Sequence, residues 1–255
     1  MRAGTHERHA VDHSCRLIVN AVAAVQTGDG LPAEGGRDGA VRPPQFRYFA
    51  VLSLTLASVV FLIAAPSADL SRAVAIAIEG AALIVAVGTS RERETVRRRR
   101  ATFVGIATVA VVLLIAVGVL PGWLIALIAV FVTTAVPVAL VRGLWRLLRG
   151  EGVTLQSVAG SLAIYLSVGL IFAWVIGFVA QVENTPYFAQ HTSGTQGDKV
   201  YFSFTTLTTT GYGDFSPATP AGHAIAVIEM LTGQLYLVTV IGLLIGNFAA
   251  RERSP

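Results

Sequence analysis

The chain has 255 residues, of which 54% are hydrophobic and only 13% charged, with a formal net charge of +4. Soluble domains hold roughly 45–50% apolar and about 25% charged residues, so too little polar surface is present to coat a globule in water, and a mean hydropathy of +0.67 makes the bilayer the natural solvent. A large extramembrane enzyme domain is excluded, and the single cysteine, Cys15, excludes an intrachain disulfide and any zinc site built on two or more cysteines.

Residues 1–45 carry Gly28, Gly30, Gly35, Gly36 and Gly39 with Pro32, Pro43 and Pro44, a composition that builds no sizeable core and predicts a flexible cytoplasmic segment. Its apolar run from Leu17 to Val25 is too short to span a bilayer. His6, His9 and His13 lie at helical spacing near Cys15 and would hold a metal only if the segment folded, which short His-rich tails seldom do.

A spanning helix needs about 20 apolar residues at ~1.5 Å each to cross ~30 Å of hydrocarbon. Six windows qualify: Tyr48 to Ala65, Ala73 to Thr89 (uncharged apart from Glu79), Ala101 to Leu120, Trp123 to Val141, Val153 to Gln181 and His223 to Phe248. Strands are excluded, because a spanning strand takes only ~9–11 residues and alternates polar with apolar. Pro121-Gly122 separates the third window from the fourth, which predicts a tight helical hairpin. The expected fold is an all-α membrane protein.

The 19 Lys and Arg residues test this count, since short cytoplasmic loops collect basic residues. Seventeen fall before the first window, between the second and third, after the fourth or after the sixth; only Arg72 and Lys199 fall on the other side. That alternation predicts six spans in the cell membrane with both termini cytoplasmic. The R-E-R-E-T-V-R-R-R-R loop, with Arg97, Arg98, Arg99 and Arg100, offers a surface for anionic lipid headgroups, although the positive-inside pattern alone also accounts for it.

Between the fifth and sixth windows the run Val200 to Leu207 is too apolar for a solvated loop. Ten residues from Asp198 to Leu207, with Asp198 as N-cap, make a helix of ~15 Å that reaches the bilayer centre without crossing. Thr208-Thr209-Thr210-Gly211-Tyr212-Gly213-Asp214 follows, and non-helical backbone at that depth is tolerated only where it is buried in protein or lines a water-filled path.

This T-T-T-G-Y-G-D run after an aromatic re-entrant helix resembles the signature of potassium channels. In that family, the known case of the mechanism, rings of backbone carbonyls replace the hydration shell of the ion. The resemblance implies a re-entrant pore helix and selectivity filter, with stacked K+ sites formed by the carbonyls of Thr209, Thr210, Gly211 and Tyr212 and by the Thr209 hydroxyl. Gly211 and Gly213 supply the left-handed backbone such a stack needs. Tyr212 is expected to point away from the ion and brace against Tyr201, Phe202 and Phe204. Pro217 and Gly222 follow Asp214 at the family's offsets, and Gly233 matches its inner-helix hinge glycine. The resemblance covers residues from Val153 to Phe248, and one position departs from it: Thr210 stands where the family has Val or Ile, which leaves a weakly selective cation channel as the alternative to a potassium-selective one. Against other classes, transporters built on degenerate pore repeats have four weak filters, and a non-conducting subunit would carry no flux alone.

One filter strand per chain cannot enclose an ion, so four identical subunits are expected around one axis. K+ is then the permeant ion, and neither cofactor nor enzyme activity is expected. Inner-helix residues Gln234, Leu237 or Val238, Ile241 and Ile245 are expected to line the pore. Glu229, one turn before Gly233, is expected to support the filter together with Asp214 rather than to meet ions. Residues 46–150 are expected to form a four-helix domain, 151–250 the pore domain and 251–255 a short tail, with no sensing domain expected. The fourth window has no Arg or Lys from Gly122 to Val141, so strong voltage sensing is not expected, while Arg142, Arg146 and Arg149 suggest an interfacial helix linking the fourth and fifth spans.

Overall fold

The computed structural model describes residues 47–66, 68–88, 94–151, 154–183 and 185–252. The histidines and cysteine of the N-terminal segment, and Arg91 and Arg93, lie outside them. Among the described residues there are seven helices and no strand: α1 (Arg47–Ala64), α2 (Asp69–Val87), α3 (Glu94–Ala116), α4 (Gly122–Glu151), α5 (Leu155–Val182), α6 (Gln196–Leu207) and α7 (Pro220–Glu252). All but α6 are long and apolar enough to cross a membrane, and the fold is the expected all-α one.

The helix ends collect at two faces. At one, a Cβ on Gly197, in the first turn of α6, would come within 3.0 Å of the Leu62 carbonyl near the end of α1. Lys199 lies at this face too: its ammonium donates to the Gly194 carbonyl at 3.1 Å, and burial, then the nearby Arg72, hold its pKa down at about 8. The two basic residues that the charge count sets apart thus share one face. At the other, the Arg47 guanidinium donates to the Gly88 carbonyl, tying the start of α1 to the end of α2, and a Cβ on Gly160 of α5 would meet the Tyr48 ring at 2.9 Å.

Helix α5 is the central post. It packs on α1, α4, α6 and α7, and its Leu170, Ala173 and Trp174 share a buried core with Val59 and Leu62 of α1, Ile76 of α2, Ile125 of α4 and Val200 of α6. Thr154 caps it through a reciprocal box with Ser157, which satisfies amide groups that the first turn leaves without helical partners. Helix α3 is the peripheral one, with Ile115 as its one buried residue and Phe103, Ile106, Val109 and Leu113 exposed.

Three expectations change. The Arg-rich loop is helical from Glu94 onward, where Glu94 lies in the first turn beside Arg97 at 3.6 Å, a favourable charge at a helix N-terminus. The third and fourth helices are joined by residues 117–121, with Gly118 at φ +74°, yet α3 packs broadly on α2 and not along α4, so the link is tight and the hairpin is not. The interfacial linker helix is the unbroken continuation of α4, because the Leu- and Arg-rich stretch after Val141 contains no proline to stop it.

Candidate functional site

The short helix α6 is set by its first turn. Thr195, not Asp198, is the N-cap: the Thr195 hydroxyl accepts from the Asp198 amide at 3.1 Å, and the Asp198 carboxylate accepts from the Thr195 amide at 2.7 Å. Asp198 therefore closes a capping box from the third helical position, a pattern that T-Q-G-D allows. Twelve residues make about 18 Å of helix, too short to cross a bilayer.

The far end of α6 abuts α7 at Gly233. A Cβ there would come within 2.2 Å of the Leu207 carbonyl oxygen, so this position admits only glycine at the observed spacing. Helix α7 runs unbroken through it, which makes close approach, rather than a bend, the role seen for the expected hinge. The faces of α6 and α5 meet at Ser203, whose hydroxyl lies 2.6 Å from the Gly169 carbonyl and is shared with the carboxyl of Glu229. Glu229 is fully buried, and its carboxyl is held to α6 through Ser203. Glu79 is likewise buried, in α2, facing Ser58 of α1.

Beyond α6 the backbone alternates: Thr209, Gly211 and Gly213 have φ of 57°, 53° and 81°. Gly211 and Gly213 thus both take left-handed backbone. Thr209 is an addition, since a non-glycine residue rarely takes this conformation. Amide groups of this segment point back to α6: Thr208 donates to Phe204, Thr209 to Thr206, and Thr210 and Gly211 both to Thr205. Among the described residues the carbonyls of Thr209, Thr210, Gly211 and Tyr212 accept no hydrogen bond, and residues 208–214 are exposed in the single chain. The amides of residues 208–211 are consumed by α6, while the carbonyls of residues 209–212 are left open.

Side chains reinforce that polarity. The Thr208 hydroxyl donates to the Phe204 carbonyl at 2.7 Å, so its oxygen is left to accept the Thr210 hydroxyl at 2.8 Å. The departure at Thr210 therefore has a local partner. Gln234 of α7 donates to the Thr209 hydroxyl at 3.1 Å. Tyr212 lies flat against Tyr201, with ring centres 6.4 Å apart and planes 5° from parallel. The Asp214 carboxylate beside the Tyr201 hydroxyl raises its pKa.

Phe202 and Phe204 do not join this stack within one chain. The Phe202 ring meets Phe188 and Tyr187 edge-on, and Phe204 packs over Gly169 of α5, where a Cβ would meet its ring at 2.8 Å. Sequence reading missed Tyr187 and Phe188, both fully buried. Their segment pairs with the return strand of chain: Ala189 donates to Ser216 and Ala218 to Tyr187, each at 2.8 Å. The only signal available was two adjacent aromatics in a polar loop. Pro217 and Gly222 meet beside this pairing, which accounts for their spacing.

Of the expected lining residues, Gln234 and Val238 are exposed and Leu237 is half-buried; the side chains of Ile241 and Ile245 lie outside the described ones. Helix α7 buries Ala226, Glu229 and Gly233 and leaves Val227, Ile228, Leu231 and Leu235 exposed.

Residues 164–249, about a third of the chain, match the family described as ion channel. No curated protein and no solved structure matches the chain. The match encloses α6, the alternating segment and nearly all of α7, so this part of the membrane protein is similar to an ion-channel domain.

Proposed function

We propose that the ion-channel domain at residues 164–249 is a potassium-selective pore completed by four identical subunits. The observation that carries this reading is the backbone of residues 209–213, with left-handed angles at alternate positions, the Thr209, Thr210 and Gly211 amides bonded to α6, and four successive carbonyls without a donor among the described residues. Lipid cannot satisfy such carbonyls, and each left unsatisfied in hydrocarbon costs several kcal/mol. Four copies facing one axis would turn that liability into a stack of oxygen rings that replaces the water around K+. The Thr209 hydroxyl, held by Gln234, lies at the inner end, and the Tyr201–Tyr212 stack supports the strand from outside. The exposed apolar face of α7 is available for the subunit contacts and lining that this assembly needs.

In this reading the protein lies in the cell membrane with its basic loops and both termini in the cytoplasm, and K+ passes passively down its gradient. The alternative of a weakly selective cation channel rests on Thr210, whose hydroxyl bonds to Thr208 where the family has an apolar side chain.

Gly211→Ala and Gly213→Ala test the assignment. No atom lies within 4 Å of a Cβ at either position, so crowding within the chain is not at issue; the left-handed backbone is, at about 1–2 kcal/mol for each L-residue, repeated in four subunits. Either variant should assemble normally in detergent and lose K+ selectivity or all K+ flux in liposomes. Wild-type selectivity in both variants would remove these positions from the filter.

A further inference from the structure

The geometry points to a binding site for one anionic phospholipid in the crevice between α2, α3 and α4. Because α3 packs on α2 and not along α4, a cavity of about 500 Å³ opens between them, within the usual range for ligand sites. Its walls are apolar: Leu83 of α2, Phe103 and Val104 of α3, and Ala139 of α4. Its rim is not, since Arg99 and Arg100 from the first turns of α3 and Arg142 from α4 line the same space. Two distant stretches of sequence thus bring three arginines to the lining of one space.

Helical geometry explains which arginines take part. Four consecutive residues on a helix point in four directions, about 100° apart, and residues four apart lie on one face. Arg99 is therefore stacked above Phe103, and Arg100 above Val104. Arg97 turns instead to Glu94, and Arg98 is not part of the lining. The occupant follows from complementarity. An apolar slot with arginines along its lining fits an acyl chain below and a phosphate above, which guanidinium groups bind through charge-assisted hydrogen bonds. A zwitterionic headgroup would bring an ammonium to the same three cations. The site requires only that the six long helices lie in a bilayer, and it does not depend on potassium selectivity.

The test measures lipid retention by the purified full chain in detergent, using native mass spectrometry with phosphatidylglycerol and phosphatidylcholine of the same acyl composition. Wild type should hold one phosphatidylglycerol per chain at least tenfold more tightly than phosphatidylcholine. Arg99→Gln and Arg142→Gln should each weaken that binding about fivefold, and Arg98→Gln less than twofold. Ala139→Leu, which fills the slot and leaves every charge in place, should weaken it several-fold; Phe103→Ala, at a position 75% exposed and so safe for folding, should do the same. Glycerol phosphate alone should not compete. Equal losses in Arg98→Gln and Arg99→Gln would reduce the site to diffuse surface charge and overturn it. So would binding unchanged in Phe103→Ala, or displacement by glycerol phosphate. Ion flux is not part of the readout, so failure of the potassium pore and failure of this site remain distinguishable.

Discussion

Ser203 has one hydroxyl proton and two close oxygen neighbours, the Gly169 carbonyl of α5 and the Glu229 carboxyl of α7. Its position makes it the joint where three helices meet behind the proposed filter. Replacing Glu229 by alanine would leave a cavity and an under-satisfied hydroxyl in a fully buried place, at a cost of about 2–4 kcal/mol. Glu229→Gln keeps the volume and one hydrogen-bonding oxygen and should retain most of the stability. Thermal unfolding in detergent should therefore rank wild type near Glu229→Gln and well above Glu229→Ala; equal losses in both variants would mean that the charge, not the hydrogen bond, matters there. A carboxyl in an apolar window was legible as a special residue, but its partner was not, because nothing in sequence spacing connects residue 229 to residue 203. Thr209 was illegible for another reason. Left-handed backbone is read from glycine, and the cost at a threonine is offset here by bonds from Gln234 and to Thr206 that only the fold supplies.

Elements were more legible than contacts. The apolar windows correspond to helices because the requirement of ~20 apolar residues is set by bilayer thickness, whereas their ends depend on caps such as Thr154 and Thr195, which lie outside the apolar pattern. Packing was less visible still. Small residues such as Gly169 and Gly233 mark close approaches, yet their partners Phe204 and Leu207 are far away in sequence. Helix α4 carries a functional consequence. Three charges per subunit crossing the whole field in four subunits would couple about 28 kcal/mol to 100 mV, at ~2.3 kcal/mol per charge. No Arg or Lys lies between Gly122 and Val141, and Arg142 follows only at the end of that apolar stretch. Open probability in reconstituted membranes should therefore change gradually with voltage, and Arg142→Gln should leave the slope nearly unchanged. Steep activation that flattens in this variant would make α4 a voltage sensor.

At the scale of the whole molecule, two features of the single chain bear on the proposed assembly: among the described residues four successive carbonyls have no donor, and α7 has an apolar face with nothing against it. One assembly around a shared axis would resolve both. If four chains share a pore, mixing equal amounts of wild type and Gly211→Ala leaves only about (1/2)⁴, roughly 6%, of assemblies fully wild type under random association with cyclic symmetry. K+ current should then fall far more than by half, while a linear loss would place a pore in each chain. The sorting of basic residues was legible on a large scale, and Arg72 and Lys199 do lie near each other at one face; the crevice was not, since it arises from where α3 fails to meet α4. The central claim, selectivity for K+, is tested most directly by the reversal potential of the purified protein alone in a planar bilayer with K+ on one side and Na+ on the other. A shift toward the K+ equilibrium value, corresponding to K+ permeability at least tenfold above Na+, is the predicted result; a reversal potential near zero with robust current would contradict it and establish the weakly selective pore instead.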